Sequence, residues 1–177
     1  MVPDSVPEVM HKLELLSLEI QRMPKKSSAE FAMPQDAPYL SVCTTSTHDM
    51  NPIRAWWEED KALTQRFYNR ALGLQGPAPE ACSPLIAEKI VEQHLQSDAM
   101  LVILPWQDWM AMDKKLANKN PHAERINVPA DPRNFWCYRM HLTLEQLLTE
   151  KKFNTKVKKM VKESGREVGR FEFRFSS

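Results

Sequence analysis

Three short apolar segments, separated by stretches with a helical pattern, most constrain what this chain can fold into. They cover residues 15–20, 39–45 and 99–104, and Glu19 is the only charged residue in them. Short apolar runs bounded by turn residues are typical of strands buried on both faces. Strands joined through helical crossovers form a parallel sheet. The sequence therefore predicts an α/β fold with three parallel strands.

The spacing of apolar residues predicts six helices around these strands. They cover residues 6–13, 53–72, 84–94, 106–112, 144–150 and 155–163. The segment 53–72 is predicted to be one long core-facing helix. A basic stretch in residues 151–166 lacks interleaved aromatic residues, which favours a solvated helix face over a nucleic-acid surface. Alternating Phe171, Phe173 and Phe175 are typical of a strand within an otherwise loose tail.

Composition narrows the function classes. The 177 residues are enough for about one domain, and the net charge of +1 gives no global field for nucleic acid or an anionic membrane. With 13 Pro and 4 Gly, a Gly-rich phosphate loop is excluded. Widely spaced Cys43, Cys82 and Cys137 indicate neither a disulfide framework nor a zinc site. We predict a cytoplasmic protein without a metal or other cofactor.

His48 and Asp49 directly follow the second predicted strand. In α/β folds, functional groups collect at the carboxyl ends of strands, where loops leave the sheet. A carboxylate there can accept hydrogen bonds from sugar hydroxyls or balance positive charge in a transition state. The alternative is that Asp49 caps a helix starting near Asn51 and that His48 merely packs.

Trp56 and Trp57 precede an acidic run and also allow two interpretations. They could stack on the apolar faces of sugar rings beside carboxylates. Their helical spacing instead favours core packing for at least one of them, with the acidic run as a favourable charge in the first helical turn. The Trp106–Trp109 segment allows the same two interpretations, and Asp108 is equally a candidate cap or ligand.

Several ordered motifs closely resemble the 4-alpha-glucanotransferases, the amylomaltase or disproportionating-enzyme family (glycoside hydrolase family 77). The resemblance spans about residues 1–165, and the motif sequences are most similar to those of the disproportionating-enzyme-2 branch. The motifs are TSTHDM (45–50) with IR (53–54) and WWEED (56–60), then PWQD (105–108), ERINVP (124–129) and NFWCYR (134–139); VPDSVP (2–7) and LSLEIQRMP (16–24) also fit.

This resemblance implies a (β/α)8 barrel that breaks an α-1,4-glucan bond with retention of configuration. The enzyme uses an Asp nucleophile, a Glu acid/base and a third carboxylate. The third carboxylate falls on Asp49 as transition-state stabiliser, and His48, Trp57 and Asn127 are expected to bind substrate. The implied partners are α-1,4-glucans and maltooligosaccharides, and not nucleic acid or membrane.

The chain also departs from the family. Its start resembles the stretch just after the strand that bears the acid/base Glu, so that Glu and the nucleophile would lie upstream. The three strands would then be about strands 6 to 8 of the TIM barrel, within a partial catalytic domain of residues 1–165 followed by a tail of residues 166–177. Alone, such a piece should be inactive. The alternatives are a noncatalytic carbohydrate-binding module and a half that complements the missing N-terminal part of the barrel.

Overall fold

The computed structural model describes Pro3 and residues 5–166 and contains one sheet of three parallel strands. The strands are β1 (Ser17–Ile20), β2 (Ser41–Thr44) and β3 (Leu101–Val102), in the order β1-β2-β3. Ser17 lies opposite Ser41, and Val42 lies opposite Leu101. The predicted parallel α/β arrangement is confirmed, although each strand is shorter than the apolar run that indicated it. The predicted alternation of phenylalanines after residue 170 lies outside the described residues.

In the described part of the chain, seven α-helices accompany the sheet: α1 (Val6–Lys12), α2 (Ile53–Glu59), α3 (Lys61–Arg70), α4 (Pro84–Leu95), α5 (Trp106–Met110), α6 (Leu144–Thr149) and α7 (Lys151–Glu163). Helix α4 begins as predicted, since the hydroxyl of Ser83 accepts a hydrogen bond from the backbone of Ile86. Helix α6 begins at a capping box formed by Thr143 and Gln146. Two short 3-10 turns, Pro34–Asp36 and Pro121–Glu124, lie in loops.

The prediction of a single helix over residues 53–72 is wrong, because the helix is interrupted at Asp60. Its backbone is extended, with φ −139° and ψ 106°, and its carboxylate accepts hydrogen bonds from the backbone N–H groups of Ala62 and Leu63. Asp60 thus caps α3 and ends α2. The acidic run therefore lies at the end of α2, and not in its first turn as predicted.

The main core lies between the helices, where Trp57, Phe67, Ile90 and Val91 are at most 1% exposed. Helix α7 places Phe153 in this core and turns most of its lysines to solvent, so that its basic residues form an exposed face. No helix in the described ranges is long and apolar enough to cross a membrane.

The strands are less buried than the sequence indicated. Leu18 on β1 is 48% exposed, Leu101 on β3 is 44% exposed, and Ile103 just beyond β3 is 60% exposed. Only β2 is paired on both sides, since β1 and β3 form the edges of the sheet. The sheet therefore leaves apolar side chains open at both edges, which is unusual for parallel strands.

Candidate active site

A cleft of about 430 Å³ opens where β2 and β3 end. This volume lies within the range of about 300–1,000 Å³ that is usual for small-molecule sites. The cleft is lined by three chain segments: the loop after β2, the segment after β3, and residues from the long connection before α6. Its position at the carboxyl ends of parallel strands is where α/β folds place their ligands.

His48 and Met50 line this cleft, whereas Asp49, which lies between them in the chain, is not among the lining residues. The Nε2 atom of His48 is 3.3 Å from Oδ1 of Asp49, and both side chains are about half exposed. The same Oδ1 accepts a 2.5 Å hydrogen bond from Nδ2 of Asn127. The structure therefore brings together His48, Asp49 and Asn127, three of the four residues that the sequence predicted for substrate chemistry.

Asn127 is oriented by its own neighbours. Its backbone N–H donates to the carbonyl of His48 at 3.1 Å. Its side-chain carbonyl accepts a 2.9 Å bond from Nδ2 of Asn134, which leaves its amide N–H free to face Asp49. The guanidinium of Arg125 donates to the carbonyl of Asn127 at 2.9 Å. The loop after β2 and the segment 125–134 are thus joined at the site.

Trp136 places an exposed aromatic ring beside His48. Its ring centroid is 4.6 Å from that of His48, and the residue is 63% exposed. The sequence placed Trp136 within a recognised motif but gave it no role. A role for Trp136 is indicated by its position in the connection before α6, which also carries Asn127.

The alternative in which Asp49 caps the following helix is wrong. Helix α2 has no side-chain cap from its own flanking residues. The first free N–H group of the helix, on Ile53, donates to Oδ1 of Asp108 at 2.9 Å. Asp108 is 0% exposed and also accepts a 2.5 Å bond from the hydroxyl of Thr45. Of its two predicted roles, Asp108 is therefore a cap, and its burial raises its pKa.

The prediction that Trp57 binds substrate is contradicted by its burial. Trp57 is 0% exposed, and its indole N–H donates to the carbonyl of Pro79 at 2.8 Å. Trp56 is 8% exposed and packs edge-on against Phe67. Both tryptophans therefore belong to the core, as the alternative interpretation predicted, and neither presents a face to a sugar ring.

Glu124 is a buried carboxyl among the residues that line the cleft, and no role was predicted for it from the sequence. It is 1% exposed, and its Oε2 is 3.5 Å from Nη1 of Arg54. Burial raises the pKa of Glu124 to about 7, although the charge of Arg54 opposes this shift. Burial also raises the pKa of the nearby Tyr138 to about 12, with a smaller contribution from the charge of Glu124.

The chemistry open to this arrangement follows from Asp49. A half-exposed carboxylate held by an amide N–H and an imidazole is fixed in direction but keeps acceptor capacity for a ligand. Such a group can accept hydrogen bonds from ring hydroxyls and stabilise positive charge that develops nearby. Trp136 adds an apolar face of the kind that covers C–H groups.

Comparisons with known proteins give a consistent result. A family model described as 4-alpha-glucanotransferase matches residues 1–144. The chain is 39% identical over 166 residues to the 4-alpha-glucanotransferase DPE2 of Oryza sativa subsp. japonica, and 28% identical over 163 residues to a 4-alpha-glucanotransferase of Chlamydia pneumoniae. Among solved structures, the amylomaltase from Streptococcus agalactiae in complex with acarbose superposes with a TM-score of 0.68 at 15% identity.

The chain spans only part of these relatives. The alignments cover 94% of this chain but 18% of the rice protein, and 90% of this chain but 30% of the chlamydial one. The superposition covers 94% of this chain and 30% of the streptococcal chain. The α/β arrangement with three parallel strands therefore matches part of the amylomaltase structure.

Proposed function

The chain belongs to the 4-alpha-glucanotransferase family, as its motifs predicted, and we propose that it supplies one part of the active site of a retaining α-1,4-glucan transferase. In this proposal β1, β2 and β3 are about strands 6 to 8 of a (β/α)8 barrel. The open strand edges at Leu18 and Leu101 support it, because a closed barrel would pair both of them.

The observation that carries the proposal is the position of Asp49. Its carboxylate lies on the loop after β2, next to His48, which lines the cleft, and it is half exposed and oriented by Asn127. Cleavage of a glycosidic bond passes through an oxocarbenium-like transition state, and hydrogen bonds to the ring hydroxyls strengthen as its charge develops. Asp49 would make those bonds and so stabilise the transition state more than the bound substrate.

His48, Asn127 and Trp136 would bind the sugar next to this carboxylate. His48 can share a hydroxyl with Asp49, since its Nε2 lies 3.3 Å from Oδ1. Asn127 holds Asp49 in place, and Trp136 offers its exposed ring beside His48. The substrate class would be neutral α-1,4-glucans and maltooligosaccharides.

The two steps of covalent transfer would need groups from other polypeptide. In a retaining mechanism, a nucleophile carboxylate forms a glycosyl-enzyme intermediate, and a second carboxyl protonates the leaving oxygen and then activates the acceptor. Among the described residues that line the cleft, the only carboxyl is that of Glu124, which is 1% exposed and paired with Arg54, so no accessible carboxyl lines the cleft. We therefore expect no turnover by this chain alone.

A graft tests this proposal. The chain replaces the matching segment of the rice relative, and the purified hybrid is incubated with maltoheptaose beside the isolated chain. We expect the hybrid to redistribute oligosaccharide lengths and the isolated chain to leave them unchanged. A folded hybrid without transfer activity, or robust transfer by the isolated chain, would overturn the proposal. Calorimetric titration of the isolated chain with maltoheptaose then shows whether it acts as a binding module in its own right.

A further inference from the structure

The loop that carries His48 and Asp49 is held near both ends by two residues of opposite charge, the half-buried Arg22 and the buried Asp108. We propose that Arg22, just after β1, and Asp108, in α5, are positioning residues that fix this loop. The loop is defined here as residues 45–53. Their importance for glucan transfer rests on the function proposed above, whereas their effect on loop geometry does not.

Arg22 holds the loop through two backbone carbonyls. Its Nε donates to the carbonyl of Thr45 at 3.1 Å, and its Nη2 donates to the carbonyl of Asn51 at 2.8 Å. The guanidinium carbon also lies 4.8 Å from the ring centroid of Trp56, which itself belongs to the core. The planar guanidinium is thereby held by packing against the Trp56 ring and by hydrogen bonds to the two loop carbonyls.

Asp108 holds the same loop through two donors. Its Oδ2 accepts from the hydroxyl of Thr45 at 2.5 Å, and its Oδ1 accepts from the N–H of Ile53 at 2.9 Å. Thr45 therefore gives its carbonyl to Arg22 and its hydroxyl to Asp108. Burial lowers the pKa of Arg22 to about 10, and the nearby charge of Asp108 opposes this shift.

The loop tip itself has few other bonds. Within it, the N–H of Met50 donates to the carbonyl of Thr47 at 3.2 Å, and the N–H of Asp49 reaches the hydroxyl of Thr47 at 3.3 Å. From outside, Asn127 binds the carbonyl of His48 and the carboxylate of Asp49, and Arg125 donates to the carbonyl of Asp49 at 3.5 Å. These contacts hold the half-exposed tip on one side, and the fixed ends of the loop set where His48 and Asp49 meet them.

The residues that hold the loop follow the strands on either side of β2. Arg22 follows β1, the loop follows β2, and Asp108 lies shortly after β3. Lysine cannot replace Arg22 in this role, because a single ammonium does not reproduce the planar fork that serves two separate carbonyls. A buried carbonyl without a partner would favour a different loop conformation.

The test uses NMR on the full chain and reads the His48 ring. Its Cε1–H signal is assigned with His48→Gln, and Trp136→Leu gives the shift that results from loss of the Trp136 ring current. We expect Arg22→Lys and, separately, Asp108→Asn to move the His48 signal at least half as far as Trp136→Leu does. The matched control is Arg70→Lys, because Arg70 is exposed and pairs with Glu30 away from the loop.

In the hybrid with the rice relative, we expect Arg22→Lys to lower kcat at least tenfold with a smaller change in KM. A His48 signal that stays at the Arg70→Lys position in both variants would overturn the inference, and so would an unchanged kcat. If the unsubstituted hybrid is inactive, the proposed function fails while the His48 signal still decides whether the loop is positioned. Asp108→Asn is nearly isosteric, so it decides the matter if Arg22→Lys fails to fold.

Discussion

The side-chain amide of Asn127 donates a 2.5 Å hydrogen bond to the carboxylate of Asp49, a residue 78 positions earlier in the chain. Asn134 fixes the direction of that amide by donating to its carbonyl oxygen at 2.9 Å. Asn127 thus delivers a donor, and not an acceptor, to Asp49. The candidate site depends on this long-range pair, since Asp49 has a half-exposed side chain and lies on a loop.

Asn127→Asp should weaken the site more than Asn127→Ala. Alanine removes the hydrogen bond to a charged group, which typically contributes about 1.5–3 kcal/mol. Aspartate adds a second negative charge beside Asp49. In the hybrid with the rice relative, we expect kcat/KM to fall about tenfold to a hundredfold for alanine and further for aspartate. Asn154→Ala, on α7, serves as the control, and equal losses for all three variants would contradict the assignment.

Trp57→Phe should lower stability, whereas Trp136→Ala should lower affinity for sugar. Trp57 is 0% exposed, so the smaller ring leaves a cavity and should lower the free energy of unfolding by about 2–3 kcal/mol. Trp136 is 63% exposed, so its loss should leave the stability of the chain nearly unchanged but reduce the affinity of the hybrid with the rice relative for maltoheptaose. Urea unfolding and calorimetry measure the two quantities. Weaker sugar binding by folded Trp57→Phe would reverse the conclusion drawn from its burial.

The sequence predicted the elements with local signals and missed the arrangements that need distant partners. The caps at Ser83 and Thr143 lie beside the helices they begin, and the predicted helix starts at residues 84 and 144 follow them directly. The cap of α2 comes from Asp108, far along the chain, so no local pattern indicated it. The break at Asp60 was hidden because the apolar spacing continues across it.

The site was predicted in a similar way. His48 and Asp49 follow a strand, and a motif resemblance added Asn127, so the sequence selected three residues that the structure brings together. Trp57 was misassigned because adjacent tryptophans on a helix do not show which face is buried. Trp136 was missed because the sequence does not show that its ring lies 4.6 Å from that of His48.

Glu124 should make the chain less stable as pH rises. Its pKa is about 7 in the folded chain against an ordinary value of 4.5, so its favourable contribution is complete below pH 4.5 and is lost as pH rises to about 7. The loss is at most about 3 kcal/mol, at about 1.4 kcal/mol per pKa unit. Urea unfolding of Glu124→Gln and the unsubstituted chain at pH 5 and pH 8 measures it. We expect the variant to gain relative stability at pH 8, and an equal difference at both pH values would refute the prediction.

His94 should make the chain less stable as pH falls. It is 0% exposed, and burial lowers its pKa from 6.5 to about 4. Its contribution to stability is complete above pH 6.5 and is lost as pH falls to about 4, because the unfolded chain binds the proton more readily. We expect His94→Gln to reduce the loss of unfolding free energy between pH 7 and pH 4 by about 3 kcal/mol. The same pH slope in variant and unsubstituted chain would count against the buried neutral imidazole.

The role of Asp49 is tested most directly by the Asp49→Asn substitution in the hybrid with the rice relative. Asparagine keeps the shape of the side chain but loses the charge that would stabilise an oxocarbenium-like transition state. The measurement is kcat for transfer from maltoheptaose, beside the dissociation constant of the same sugar. We expect kcat to fall at least about a hundredfold while the dissociation constant changes less than about tenfold. A kcat within about twofold of the unsubstituted hybrid would contradict the role assigned to Asp49.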